Sequence, residues 1–455
     1  MSMNPGTSDL ETIKRIVAEE RARYPIPGLS IGVLDGDAEL TAAFGDTSVD
    51  HPLPVTVDTY FQVGSITKTF LGTLVMGLVD AGRLDLGSPV RRWVPDLELR
   101  NENAAANVTL THCLTHTCGW SGDCFDDFGR GDDALEKYVA AMRELEQQVP
   151  LGAEWAYNNA AFALAGRVVE VVTGEPIETA VRTHVLELLG LEKTFFFADE
   201  VVTYRASVGH NVFEKEARVA RPWAIPRSTN AVGGIVSNVP QLLAYARFHM
   251  GDGRSAAHEV FMSRGSLDLM RMPLVPAADG LFRGIAWSVE DKNGIRIIGH
   301  GGSVIGQQAL LWVAPAKRAA LVVLTNTNRA AQLQNALTRW WRQRYLGIAY
   351  APPQIQAHTP EQATRVAGRY VNPNGEIDIK IDDTRLVFHH NTHGSLREIM
   401  EEPPPQPEPV QVGFTRPGRL VHLEGPLKDT AVELLAADDA PIEWIRYQGR
   451  LFKKQ

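Results

Sequence analysis

Apolar positions at Leu10, Ile13, Ile16 and Val17 recur at helical spacing and predict a helix from Asp9 to Arg23, capped by Ser8 or Asp9. Two short apolar runs follow, Gly28 to Leu34 and Ala38 to Phe44. The Asp35-Gly36-Asp37 between them marks a hairpin that begins an antiparallel sheet. Phe70, Leu71, Leu74, Val75, Leu78 and Val79 again fall at helical spacing, with Gly82 as a C-cap, so Ser65 to Ala81 reads as a largely buried helix. Further helices are expected at Ala134 to Leu145, Ala160 to Thr173 and Gln241 to Met250. A run of strands then follows at Gly284 to Glu290, Ile295 to Ile298, Gln307 to Val313 and Ala319 to Leu324. Strands at both ends of a helical middle predict an α+β architecture in which the N- and C-terminal parts share one sheet.

Leu333, Leu337, Trp340, Trp341 and Tyr345 form an amphipathic stripe on a closing helix, after which Ala351-Pro352-Pro353 through Pro360 reads as a linker. Beyond it Ile377, Ile379 and Ile381 alternate with charged residues, and further short strands are expected at Arg385 to His389, Arg419 to Leu423, Ala431 to Leu435 and Ile442 to Tyr447. The chain divides on this reading into a catalytic-size domain over 1–348, a Pro-rich linker over 349–363 and a small antiparallel β-barrel over 364–455. The Pro403 to Pro409 loop of the barrel is long and stiff for a hairpin connection, and it is expected to limit substrate size.

Charge narrows the partners. Lys and Arg number 45 against 54 Asp and Glu, a net charge of −9, with no basic block, which removes the electrostatic footprint of nucleic-acid binding. The N-terminal residues carry Asp9, Glu11, Glu19 and Glu20 without an apolar signal region, and no stretch approaches the roughly 18 apolar residues of a membrane span. A cytoplasmic protein with no membrane partner is expected, and homo-oligomerisation is left open. The three cysteines, Cys113, Cys118 and Cys124, are spaced by five and six positions. That spacing fits neither a disulfide framework nor paired zinc ligands, and His389, His390 and His393 lack acidic or Cys partners; reduced thiols and no metal are expected.

The chemistry lies in three short elements. A serine hydroxyl needs a base to become a nucleophile, and Ser65-Ile66-Thr67-Lys68 at a helix start places an amine one turn away on the same face. Tyr157-Asn158-Asn159 offers a phenol and, two positions on, a carboxamide able to hold Lys68 and a substrate acyl group. Tyr370-Val371-Asn372 repeats the pattern but lies beyond the linker, ahead of a strand. His300-Gly301-Gly302-Ser303 precedes an apolar strand, and its two glycines let a substrate backbone approach that edge closely.

In this order the three elements resemble the penicillin-recognising serine hydrolases of the S-x-x-K, Y-x-N, K/H-x-G type, which include class C β-lactamases, DD-peptidases, D-aminopeptidases and related esterases. Supporting segments are Leu114 to Trp120, similar to the family's L-x-H-T-S-G loop, Gly152 to Asn159, and Gly233 to Ser237. The resemblance implies a β-lactamase/transpeptidase-like fold, Ser65 as acyl acceptor, Lys68 and Tyr157 as proton carriers, and backbone N–H groups of Ser65 and Ser303 as oxyanion hole. It also implies that Asn159, Gly301, Gly302 and Trp120 contact substrate beside His300, with no cofactor. His300 stands where β-lactamases of this type have lysine, which turns the expectation toward small amides or short peptides, including those with D-residues. A carboxylesterase or weak β-lactamase of the same family, and a catalytically silent binding module, are the alternatives. The barrel is similar in strand pattern to the lipocalin-like appendage of D-amino-acid-specific peptidases. His300 is expected to titrate near the ordinary value of about 6.5.

Overall fold

The computed structural model describes residues 6–251, 253–278, 280–436 and 440–455. An antiparallel sheet of eight strands runs in the spatial order Ala38–Gly45, Gly28–Asp35, Ala319–Thr325, Gln307–Ala314, Ile295–Val304, Ser288–Lys292, Leu281–Arg283 and Val275–Ala278. The N-terminal hairpin enters by pairing with the strand nearest the end of the catalytic domain, Leu29 opposite Thr325 and Asp35 opposite Ala319. Side chains alternate across that strand. Ala320, Val322 and Leu324 enter one core and Ala319, Leu321 and Val323 the other. The second core is closed by helices Thr7–Arg23 and Ala331–Leu346 through Ile13, Val17, Leu333, Leu337 and Trp341. The expected α+β plan, with both ends of the domain in one sheet and a barrel after it, is the one the chain adopts.

The first helix differs from expectation at its cap. Gly6 occupies the N-cap without a side-chain bond. Asp9 is buried and accepts from Arg344 Nε at 2.8 Å and Nη2 at 3.1 Å, tying the first helix to the last. Asp9→Ala is expected to lower unfolding stability by about 1–3 kcal/mol, read from urea melts, because a partly buried guanidinium loses its acceptor.

On the first face the sheet meets a helical region centred on Thr67–Asp80. Leu71, Leu74, Val75, Met76 and Leu78 are all buried, and so is Lys68 at its first turn. Ser65 itself lies in a 3₁₀ turn, Gly64–Ile66, just ahead of this helix. The strand expected from Gly284 begins at Ser288, and an additional hairpin, Val275–Ala278 with Leu281–Arg283, extends the sheet edge.

The C-terminal part is a closed barrel of eight strands, from Gly368–Asn372 to Arg450–Lys454, closed by Tyr370 opposite Lys454. Its interior holds Tyr370, Ile377, Ile379, Phe388, Phe414, Leu420 and Ile445. Sequence alternation reveals the strand carrying Ile377 and Ile379 but misses Gly368–Asn372, Val410–Arg416 and Arg450–Lys454. The helix Pro360–Val366 starts inside the segment read as linker. It is opened by a capping box between Thr359 and Gln362, and Ala363 and Val366 join the barrel core. Among the described residues no helix is long and apolar enough to cross a membrane.

Candidate active site

The Ser65 turn and the sheet edge meet through two glycines. Gly64 has φ +53°, and a Cβ there would lie 2.8 Å from Ser303 N. A Cβ on Gly302 would lie 1.9 Å from the Val63 carbonyl and 3.2 Å from Ser65 N. Any side chain at either position would force the turn and the strand apart. Ile295–Val304 pairs with Ser288–Lys292 only as far as Gly299, so His300 to Val304 keep a free edge toward the Ser65 turn while their other edge pairs with residues 307–311. The backbones of Ser65 and Ser303 therefore stand on the two sides of one close approach, with Gly301 and Ser303 exposed.

Lys68 Nζ donates to Ser65 Oγ at 3.1 Å and to the Val232 carbonyl at 2.8 Å. Burial holds its amine well below the ordinary lysine range, Arg450 pushes in the same direction, and Asp123 opposes them. Tyr157 moves the opposite way. Burial pushes its phenol up to about 12, against a hydrogen bond with Ser65 and the nearby charge of Arg450. The two groups are thus separated, an amine driven toward its neutral form beside a phenol kept protonated. Lys68 Nζ lies 5.1 Å from the Tyr157 ring centroid.

His300 is 6% exposed, and its ring centroid is 6.1 Å from that of Tyr157. Burial, reinforced by Lys68, pushes it down to about 3, while the Gly301 carbonyl 2.6 Å from Nδ1 works the other way. The expected titration near 6.5 is corrected, because the ring is out of water and faces a potential cation. In a proton NMR titration the His300 ring signals should stay unshifted between about pH 5 and pH 8; a midpoint near 6.5 would contradict the burial argument.

The Tyr157-Asn158-Asn159 segment is held from several sides. His116, at φ +61°, accepts from Asn158 N at 3.0 Å and stacks on Tyr157 at 4.4 Å between centroids. Asn158 caps the helix Asn159–Thr173 by accepting from Ala161 N and donates Nδ2 to the Trp120 carbonyl at 2.8 Å. The Trp120 ring is 1% exposed in the catalytic core, which leaves it almost no surface for the substrate contact expected of it. Cys113 and Cys118 are free buried thiols 3.9 Å apart. Asn159 donates Nδ2 to Asp123 at 2.5 Å.

Sequence reasoning missed two residues beside this segment, Asp123 and Arg450. Arg450 Nε meets Asp123 Oδ2 at 2.9 Å, and its guanidinium lies 4.6 Å from the Tyr157 ring centroid. The neighbouring Gly449 carbonyl accepts from Tyr157 N at 2.7 Å. Gly449 comes from the Gln448-Gly449 turn of the barrel and Arg450 from the start of its last strand, not from the Pro403–Pro409 loop expected to reach the site. Glu402, just ahead of that loop, instead accepts from Asn211 and Arg218. Trp155 completes the junction, its ring centroid 4.0 Å from the Arg283 guanidinium and 4.7 Å from that of Arg446, with Arg446 donating to the Ala277 and Trp155 carbonyls.

The beta-lactamase family profile matches residues 13–345. The chain belongs to the beta-lactamase family. This family member is 30% identical over 367 residues to Penicillin-binding protein 4 of Amycolatopsis lactamdurans, covering 78% of the chain and 96% of that protein. Among solved structures it is similar to SurE, with a TM-score of 0.75 at 22% identity, over 98% of this chain and 99% of that one. SurE has also been solved with D-Leu. An octameric penicillin-binding protein homologue from Pyrococcus abyssi gives a TM-score of 0.66 at 23% identity, over 98% and 100% of the two chains. The beta-lactamase-family domain and the barrel are therefore an arrangement found together elsewhere, and the chain is a serine hydrolase by family.

Proposed function

We propose that the chain hydrolyses small amide or short-peptide substrates, including those with D-residues, through an acyl-enzyme on Ser65. The observation that carries this reading is the amine of Lys68 3.1 Å from Ser65 Oγ, with its basicity lowered by burial. Neutral Lys68 takes the hydroxyl proton as Oγ attacks the substrate carbonyl, and the developing oxyanion is held by the backbone N–H groups of Ser65 and Ser303. Tyr157, protonated at neutral pH, gives its proton to the leaving amine and recovers one from Lys68. The C–N bond breaks and leaves the ester on Ser65. Water then attacks that ester with the proton carriers reversed, releasing the acid and free Ser65.

His300 enters as a neutral ring on the strand edge, its Nδ1–H donated to the Gly301 carbonyl and its Nε2 left as an acceptor, unable to place a cation there at neutral pH. This supports amides and peptides over substrates that need a cation at that position. The structure of SurE with D-Leu supports including D-residues among them.

Two measurements test the reading. A fluorophosphonate should add to Ser65 alone, seen by peptide mass spectrometry; an adduct elsewhere, or none, rejects Ser65 as acyl acceptor. A panel of D- and L-aminoacyl p-nitroanilides beside short-chain p-nitrophenyl esters should show turnover of anilides. Turnover confined to the esters would leave the acyl-enzyme standing and make the enzyme an esterase.

A further inference from the structure

Asp123 lies where the two domains meet, and all its polar contacts point into the catalytic segment or the barrel. Its side chain is 10% exposed. Oδ1 accepts from Asn159 Nδ2 at 2.5 Å and from Arg450 Nη2 at 3.2 Å, and Oδ2 accepts from Arg450 Nε at 2.9 Å. Its backbone carbonyl accepts from Asn374 Nδ2 at 3.2 Å, on the turn between the first two barrel strands. The preceding Gly122 carbonyl receives the N–H groups of both Asn159 and Ala160 at 2.9 Å. Gly122 also has no room for a side chain, since a Cβ there would lie 2.6 Å from Asn158 Cα. The loop therefore grips the start of the Asn159 helix by backbone and by side chain together.

A carboxamide has two ends of nearly the same shape and opposite hydrogen-bond character, so packing alone does not decide which way it faces. An ionised carboxylate decides it, because it can only accept: the amine end is drawn in and the carbonyl oxygen would be repelled. A carboxylate buried for this purpose needs a cation of its own, and Arg450 supplies one with two donors from the barrel.

We propose that Asp123 is a positioning residue for acyl transfer, fixing the sense of the Asn159 carboxamide while Arg450 of the barrel holds Asp123 in place. Asn159 then offers substrate its carbonyl oxygen and its second amide hydrogen in a single orientation, two residues from Tyr157. Part of the site's alignment is in this way carried by the C-terminal barrel. The inference rests on the reading of Ser65 as acyl acceptor.

The same pair acts on Lys68 with opposite signs. Arg450 lowers its basicity and Asp123 raises it, in a setting where Tyr157, His116 and His300 also face the amine and the charge of Arg283 acts on all three. Removing Asp123 should push Lys68 further down, and the acid limb of kcat/KM should move to lower pH. Removing Arg450 should move that limb to higher pH. These opposite shifts report the charges of the pair at Lys68, and the coupling of Asp123 to Asn159 in a mutant cycle reports the positioning.

The test is a mutant cycle in the full chain on the aminoacyl p-nitroanilide that wild type turns over fastest. Asp123→Asn and Asn159→Ala should each lower kcat/KM about 10- to 100-fold, and the double variant should be within twofold of the worse single. Losses that multiply in the double variant, or acid limbs of Asp123→Asn and Arg450→Ala that fail to move in opposite directions, overturn the proposal. Should Asp123→Asn not fold by circular dichroism, Asp123→Ser gives the same cycle with a smaller polar group. Fluorophosphonate labelling of wild type separates the two levels. Without an adduct on Ser65 both readings fall; with the adduct and multiplying losses, only the role of Asp123 does.

Discussion

Ser65→Ala is expected to abolish covalent labelling and to lower kcat/KM by at least about 10⁴-fold, with an unfolding midpoint close to that of wild type. In the proposed mechanism the hydroxyl carries the reaction, and it carries little of the packing, since Ser65 is partly exposed in a short turn whose shape is set by Gly64 and Gly302. Lys68→Ala should cost nearly as much. Its amine is the group in hydrogen-bond contact with Oγ that burial drives toward the basic form. Because the two act as one unit, the double variant should be no worse than either single. Activity within tenfold of wild type in Ser65→Ala, or losses that multiply in the double, would show that the nucleophile lies elsewhere or that Lys68 works apart from it. The pH profile supplies an independent check. In the proposed mechanism neutral Lys68 is the working form, so kcat/KM should rise with pH through the amine's lowered range, well short of the alkaline values of a free lysine.

The pairing of Ser65 with Lys68 is legible in the sequence because it is local: three positions at a helix start leave one arrangement in which amine and hydroxyl meet. Tyr157 is legible once context is added, as the copy of its motif that opens a helix, Asn159–Thr173, whereas Tyr370 lies within the barrel strand Gly368–Asn372. His300 is placed on the right edge by its glycines. Its protonation is not legible, because desolvation depends on what packs over the ring from distant segments.

Asp123 and Arg450 mark the limit more sharply. They are 327 positions apart, in a loop and in the last strand, and neither sits in a pattern that points to the other. The Gln448-Gly449 turn is visible as a turn, but nothing in its composition says that its carbonyl will end on Tyr157 N. Asp9 shows the same limit in small. An acidic residue at a helix start reads as a cap, and the Arg344 that takes it comes from the other end of the domain. Strands behave likewise: Ile377 and Ile379 declare themselves by alternation, while Val410–Arg416 bends at an irregular register and does not.

Truncation after Leu346, which the sequence reading would expect to leave a working catalytic domain of relaxed size preference, is expected instead to lower kcat/KM by at least about 100-fold for anilides of every size, the cost of leaving several buried polar groups unpaired around the proton carriers. Tyr157 N would lose the Gly449 carbonyl, Asp123 would lose both Arg450 contacts, and the Ala277 and Trp155 carbonyls would lose Arg446. The aromatic face of Tyr157 now covered by the Arg450 guanidinium would open to water, and the burial that keeps its phenol protonated would be reduced. A point variant keeps the barrel and probes the same contact. Gly449 has φ +80°, and a Cβ there would lie 2.9 Å from Tyr157 Cβ. Gly449→Ala should therefore push the turn off Tyr157 and lower kcat/KM about tenfold or more, while the isolated barrel strands stay paired by circular dichroism. A truncated protein that folds and turns over large and small anilides at wild-type rates would show that the barrel is an appendage, and that the bonds it makes to Tyr157 and Asp123 contribute nothing to the chemistry.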